Sequence, residues 1–158
     1  MKPPSTVVTP FPAQVGLGTD VSGGFSSSIL NAIRDASIAS KVLEMNTGTH
    51  QRGPAATKGI FSNRKLSVPT LLYLATLGGA EVCDIHQTTG SFEPGKSFDA
   101  LLVSTRSDNL GPALEDTNAE LGKALEGHLE WFMFCGDDRD IQRVYVQGRL
   151  IGGRAYQE

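Results

Sequence analysis

The chain has 158 residues and a mass of 16.8 kDa, with 39% hydrophobic and 20% charged residues, which is typical of one soluble globular domain or of part of a larger one. A net charge of −3 without a basic stripe gives no support for a nucleic-acid-binding protein. The sequence has no apolar run of about 18 residues and no apolar signal-peptide core, so neither a membrane span nor secretion is predicted. A cytoplasmic location is therefore the default expectation, and in that setting Cys83 and Cys135 are expected to be buried free thiols rather than a disulfide.

The first half of the chain predicts an extended leader followed by a β–α unit. Residues 1–14 hold four of the eight prolines, which disfavours both a helix and a central strand. Val15–Thr19 is apolar and glycine-rich, as buried parallel strands tend to be. Hydroxyl groups at residues 26–28 can cap a helix in which apolar or small residues recur at helical spacing from Ile29 to Leu43. Thr47–Asn63 has no periodicity and predicts a loop.

A second helix is predicted after Ser67, which can cap it, with Pro69 in the first turn. The paired glycines Gly78 and Gly79 are expected to end or bend this helix. Its core side is predicted to consist of Leu71, Leu72, Ala75 and Leu77.

The last third of the chain predicts strands around one more helix. Glu93–Lys96 is a turn signal, and the strand Phe98–Val103 follows it. Leucine and phenylalanine spacing predicts a helix within Leu110–Phe134, and its Trp131–Phe134 cluster favours core over a partner interface. Ile141–Ile151 predicts a hairpin with its turn at Gln147-Gly148.

Asp20 is the first candidate functional residue, because functional groups collect at the carboxyl ends of strands in parallel α/β folds. A carboxylate there can bind a metal ion or accept a proton from metal-bound water. It can equally start a turn or cap the next helix. The spacing leaves these alternatives open.

A phosphate-binding loop is the second candidate. Gly16-Leu17-Gly18 opens like the dinucleotide fingerprint, but Val21 stands where the third glycine belongs, and Glu44 comes late for a ribose-binding acid. A tight β–α turn is favoured over a nucleotide-binding module.

Other polar groups carry weaker signals. His50, His86 and His128 share no spacing that places two of them on one helix face, so they are predicted to be loop or surface residues. The acidic run from Asp137 to Asp140 is interrupted by an arginine and lacks the glutamate of a calcium loop, which favours a solvated turn.

Three separated motifs, in this order, resemble guanine deaminases of the amidohydrolase superfamily. The last barrel strand and following helix of that family are similar to VGLGTDVSGGFSSSILNAIRDASIAS. The segment leading into the family's small β-domain is similar to LATLGGAEVC and GSFEPGKSFDALLV, a pattern shared widely among amidohydrolases. The end of the family's chain resembles FCGDDRDIQRVYVQGRLI, and the resemblance covers roughly residues 15–151.

The resemblance implies an α/β fold made of the C-terminal piece of a (β/α)8 barrel and part of a small composite β-domain. The expected division is a divergent leader at 1–14, the barrel part at 15–90 and the β-domain remnant with an inserted loop and helix at 91–158. The resemblance also implies zinc-dependent hydrolysis of guanine to xanthine and ammonia in purine catabolism. By motif position, Asp20 would be the zinc ligand, the catalytic proton-transfer group and a contact to the bound purine.

The same resemblance implies that several residues of the family's site are expected to be missing from this chain. The family's H-x-H pair, its further metal-binding histidines and its purine-recognition residues belong upstream of the matching region. Catalytic zinc is normally bound by three protein ligands, so the chain by itself is expected to be inactive. Because its strand and helices would lack their barrel neighbours, the chain is also expected to be marginally stable and prone to aggregation. A non-catalytic interaction module that pairs with a full-length subunit is the alternative, and the family's tendency to form homodimers makes such pairing reasonable.

Overall fold

The structure, a computed structural model, describes residues 15–50, 65–104 and 121–156, with the side chains of 46–50 and 121 left out. These parts combine helices with one small antiparallel sheet, in agreement with an α/β fold. In chain order the elements are α1 (Ile29–His50), α2 (Val68–Ala75), α3 (Leu77–Val82), β1 (Ala100–Val103), α4 (Leu121–Cys135), a 3-10 turn (Asp138–Asp140), β2 (Ile141–Val146) and β3 (Arg149–Gly152). None of the helices in these ranges is long and apolar enough to cross a membrane. The leader at 1–14 and most of the predicted loop at 47–63 lie outside the described residues.

The strand predicted at Val15–Thr19 is wrong, since this segment belongs to no sheet. A strand needs a partner for its backbone groups, and the described sheet lies elsewhere, in order β1-β2-β3. The segment packs instead on α2 and α3, and Leu17 N–H donates to the Leu74 carbonyl at 2.9 Å. A Cβ on Gly16 would lie 2.7 Å from Gly79 Cα, so the glycines serve close packing of two backbones.

Helix α1 begins directly after the predicted capping serines. Ser26 Oγ accepts from Ser28 N–H at 3.1 Å and from the Asn31 amide at 2.8 Å, which organises the first turn. The loop predicted from Thr47 begins too early, because α1 continues to His50. One glycine near a helix end costs only about 1 kcal/mol, so Gly48 does not stop it.

Helix α2 has the predicted cap but a different buried side. Ser67 Oγ accepts from Thr70 N–H at 3.3 Å. Leu71 and Leu74 are buried, whereas Leu72, predicted to be core, is 37% exposed, because a three-residue spacing returns to the same helix face and a one-residue step does not.

The break after α2 occurs at Thr76 rather than at the paired glycines. Thr76 has φ −126° and ψ −95° and lies between the two helices. Gly78 and Gly79 lie inside α3, and a Cβ on Gly78 would lie 2.9 Å from the carbonyl oxygen of Val15, so the absent side chain admits the segment that precedes Asp20.

The core joins three helices. Ile33 of α1, Leu71 of α2 and Met133 of α4 are buried together, and Phe134 packs against them. Core rather than interface is thus confirmed for this part of the Trp131–Phe134 cluster. Arg34 links α1 to the end of α4, donating from Nε to the Met133 carbonyl at 3.0 Å and from Nη2 to the Gly136 carbonyl at 2.5 Å.

The sheet confirms the predicted hairpin. β2 pairs antiparallel with β3 and with β1, and the turn between β2 and β3 has positive φ at Gln147 and Gly148 (50° and 77°), the geometry that tight hairpins prefer. β1 begins at Ala100, two residues after the predicted start. Leu101 and Leu102 are about half exposed (52% and 50%).

Candidate active site around Asp20

Asp20 lies in a tight turn between the packed segment and α1. The turn closes when Gly24 N–H donates to the Asp20 carbonyl. Asp20 and Ser22 have φ values of +48° and +86°, a region that non-glycine residues seldom occupy. Asp20 does not cap α1, because that helix begins nine residues later and Ser26 organises its first turn. Of the alternatives left open by spacing, the helix cap is excluded and the turn is present.

The Asp20 side chain is exposed, and its carboxylate lies against the Gly23 backbone. A Cβ built on Gly23 would be 2.6 Å from Asp20 Oδ2 and 3.1 Å from Cγ. The carboxylate therefore occupies space that any other residue type at position 23 would take. An exposed carboxylate in a closed turn can bind a cation or exchange a proton.

The described residues do not form a zinc site on their own. No group of three or more histidine, cysteine, aspartate or glutamate residues that could hold a metal lies within 15–45, 65–104 and 122–156. His86 Nε2 pairs with the Gln87 amide at 2.9 Å, and His128 lies on α4. The His50 side chain lies outside the described residues. Because a catalytic zinc needs about three protein ligands, Asp20 can be only one contributor.

The acidic run after α4 forms a capped 3-10 turn. Asp137 accepts from Arg139 N–H at 2.9 Å, and Asp140 accepts from Asp137 N–H at 2.9 Å. Hydrogen bonds from the Arg139 side chain and backbone lower the pKa of Asp137 to about 2. The carboxylates of Asp137 and Asp140 close this turn, and a turn is what the sequence favoured over a calcium-binding loop. Asp140, however, is buried (8% exposed) rather than solvated.

The dinucleotide fingerprint is not supported by the structure. The phosphates of such ligands sit at the N-terminus of a helix that follows the glycines directly, and no helix begins there before Ile29. Gly16 and Leu17 instead line an open groove of about 790 Å³. Its other walls come from α2, α3 and the segment from Ile85 to Asp99.

The sequence did not predict this groove, nor the two hydrogen bonds that Asp99 accepts from distant residues. Asp99 accepts from Gln147 N–H at 2.7 Å and from Thr89 Oγ1 at 2.6 Å. These hydrogen bonds, first that from Gln147, lower the pKa of Asp99, and they connect the hairpin to the loop after α3. Cys83 lines the groove. It and Cys135 are free as predicted, but both are exposed, contrary to the expected burial, because Cys83 follows the last residue of α3 and Cys135 is the last residue of α4.

The described residues thus combine an exposed acidic turn leading into a helix, helices packed on one another and a small antiparallel sheet, which is a mixed α/β arrangement. The model of the amidohydrolase family matches residues 11–151, and the chain belongs to this family. That match begins four residues before Val15.

Within the amidohydrolase family, the similar proteins and solved structures are guanine deaminases. The chain is 36% identical over 138 residues to guanine deaminase of Rattus norvegicus, covering 87% of this chain and 27% of the relative. Among solved structures it is similar to E. coli guanine deaminase, with a TM-score of 0.65, 31% identity and coverage of 90% of this chain and 28% of that one. Guanine deaminase from C. acetobutylicum with bound guanine in its active site gives a TM-score of 0.60 and 30% identity, covering 87% of this chain and 27% of that one. The resemblance to guanine deaminases is thereby confirmed, and the chain spans about a quarter of the length of the relatives it matches.

Proposed function

We propose that this chain supplies the Asp20-bearing part of a guanine deaminase, which converts guanine and water to xanthine and ammonia. The observation that carries the proposal is the exposed Asp20 carboxylate in its closed turn, within a chain that resembles guanine deaminases over most of its length. A relative crystallised with guanine in its active site supports guanine as the substrate class.

In the proposed reaction the Asp20 carboxylate takes a proton from the attacking water. A C–O bond forms at the ring carbon that bears the amino group, the C–N bond breaks, and the proton passes to the departing ammonia. General acid–base catalysis of this kind contributes about 10²–10⁴-fold to the rate. Zinc in such enzymes lowers the pKa of bound water, and its remaining ligands would have to come from outside the described residues of this chain.

The proposal extends to the organisation of the chain. Residues 15–90 would be the C-terminal part of the barrel, because they hold the Asp20 turn and helices α1–α3. Residues 91–158 would be the remnant of the small β-domain, because all three described strands lie there. By itself the chain would be inactive, since Asp20 has too few partners among the described residues to hold zinc. The active form would be cytoplasmic and would contain further protein.

The test is deaminase activity of the native protein, isolated from its source cells through a C-terminal epitope together with whatever accompanies it. Asp20→Asn keeps the size of the side chain and removes its charge, and it should lower the rate of xanthine formation at least about 100-fold. Asp138→Asn, at an exposed carboxylate of the 3-10 turn, is the matched control and should leave the rate unchanged. Activity of Asp20→Asn within tenfold of the wild type would overturn the assignment.

A non-catalytic interaction module is the second candidate, and the exposed apolar side chains favour it. Phe25 is 86% exposed, Phe92 77% and Val21 65%, and apolar surface of this kind is commonly covered by a partner. A full-length amidohydrolase subunit is the expected partner, as in a homodimer of the family type. Co-purification of such a subunit with a wild-type chain that is inactive and unaffected by Asp20→Asn would favour this candidate over the first.

A further inference from the structure

The turn that carries Asp20 contains two glycines with different neighbours. At Gly23 an added Cβ would meet the end of the Asp20 side chain, with Oδ2 at 2.6 Å and Oδ1 at 3.3 Å. At Gly24 an added Cβ would overlap the Thr19 carbonyl oxygen, which is backbone. A side-chain end can rotate away, whereas a backbone oxygen moves only if the turn opens. The two positions therefore separate the placement of the carboxylate from the integrity of the turn.

The backbone at Gly23 does not itself require glycine. Gly23 is absent from the residues with positive φ, although Asp20 and Ser22 on the same turn are among them. Alanine can adopt such a backbone without the penalty of the left-handed region. Space beside the Asp20 carboxylate, rather than backbone conformation, is thus what glycine provides at position 23.

We propose that Gly23 is a positioning residue for Asp20 in the deamination reaction. The Asp20 carboxylate packs against the backbone of Gly23, in the space that a side chain at this position would occupy. The turn therefore holds the carboxylate against one face of residue 23. This inference rests on the proposed role of Asp20, and it adds a residue whose part in the reaction is exerted only through that carboxylate. A Cβ at position 23 pushes Asp20 Oδ2 from 2.6 Å to an ordinary contact distance of at least 3.4 Å, or turns the carboxylate about its side-chain bonds.

The consequence is a selective loss of turnover. A methyl carbon and a carboxylate oxygen cannot lie closer than about 3 Å, so in Gly23→Ala the Asp20 carboxylate has to move away from residue 23. Misplacement of a catalytic group by about 1 Å can cost 10²-fold in rate. Folding is nearly unaffected, because the group that yields is an exposed side-chain end.

The experiment compares three alanine variants of the native protein, isolated with its accompanying protein and assayed for guanine turnover and thermal unfolding. In Gly23→Ala we expect kcat to fall about 30- to 100-fold while KM changes by less than about fivefold and Tm by less than about 2 °C. Gly24→Ala opens the turn and should lower Tm together with activity. Gly18→Ala is the silent control, since nothing lies within 4 Å of a Cβ there.

Each outcome is decisive. A kcat for Gly23→Ala within threefold of that of Gly18→Ala, while Asp20→Asn is inactive, would overturn the positioning role and leave the proposed function standing. A loss of kcat matched by the same fall in Tm as in Gly24→Ala would show that Gly23 is merely structural. A wild-type protein without activity, or an active Asp20→Asn protein, would overturn the proposed function and the positioning role with it.

Discussion

Replacement of Arg34 by alanine should separate α1 from the end of α4. The guanidinium donates to two carbonyls at the C-terminal end of α4, those of Met133 and Gly136, at 3.0 and 2.5 Å. A hydrogen bond to a charged group contributes roughly 1.5–3 kcal/mol, and a cation at a helix C-terminus adds about 0.3–1 kcal/mol. Arg34 is only half-buried, which lowers these values. The contact to Asn31 Oδ1 is long, at 3.3 Å, and adds little. The free energy of unfolding should therefore fall by about 2–3 kcal/mol in Arg34→Ala.

The free energy of unfolding is measured by urea denaturation, with the fluorescence of Trp131 on α4 as the signal of unfolding. Arg34→Lys keeps the charge near the helix end but loses the two-point contact, so it should recover less than about half of the loss. Arg139→Ala is the control, because the Arg139 side chain is 74% exposed and its ion pair with Asp137 lies at the surface, where solvent screens the attraction and such pairs contribute little to stability. An Arg34→Ala protein within about 0.5 kcal/mol of the wild type would refute the reasoning.

Three further predictions concern the core, one carboxylate and the thiols. Leu71→Ala should lower the free energy of unfolding by about 3 kcal/mol, because Leu71 is 0% exposed, whereas Leu72→Ala, at 37% exposure, should cost less than about 1 kcal/mol; equal values in urea unfolding would contradict the observed helix face. The pKa of Asp137 is lowered from 3.8 to about 2, so the stabilisation from this carboxylate is complete above pH 3.8 and is lost as the pH falls through about 2; a carbon NMR titration should show the low midpoint, and Arg139→Ala should move it upward. Cys83 and Cys135 are exposed, so both should react with a thiol reagent in the native chain without denaturant, and a need for denaturant would count against their positions.

Local signals predicted the local structures well. Ser67 and Pro69 predicted the start of α2 because a cap depends on residues within one turn. Gln147-Gly148 predicted the hairpin because tight turns demand positive φ at adjacent residues. The helix after the serine run followed from its own periodicity.

Predictions that depended on distant partners failed. Val15–Thr19 has strand-like composition, but whether it forms a strand depends on a neighbour, and here it packs on α3 through glycines. For the same reason the paired glycines of α3 gave a false helix break, since their role is contact with a segment about 60 residues away. Residue type alone predicts burial of Cys83 and Cys135, but their positions at the C-terminal ends of α3 and α4 leave them exposed.

The candidate site shows the same division. The residues alone left Asp20 undecided, and its proposed role follows from resemblance to a family rather than from spacing. The contact between the Asp20 carboxylate and Gly23 could not be read from the sequence, because it depends on the positive φ values at residues 20 and 22. Arg34 and Asp99 were missed because their partners lie 99, 102 and 48 residues away in the chain.

The most direct test of the central claim is the zinc content of the native protein, isolated from its source cells with all accompanying protein, for the wild type and for Asp20→Asn. The account predicts about one zinc per chain in the wild type, held jointly by Asp20 and by ligands beyond its described residues, and a marked loss of zinc in Asp20→Asn. Equal zinc in the two proteins, or none in the wild type, would contradict the proposal that Asp20 is a metal ligand of a guanine deaminase.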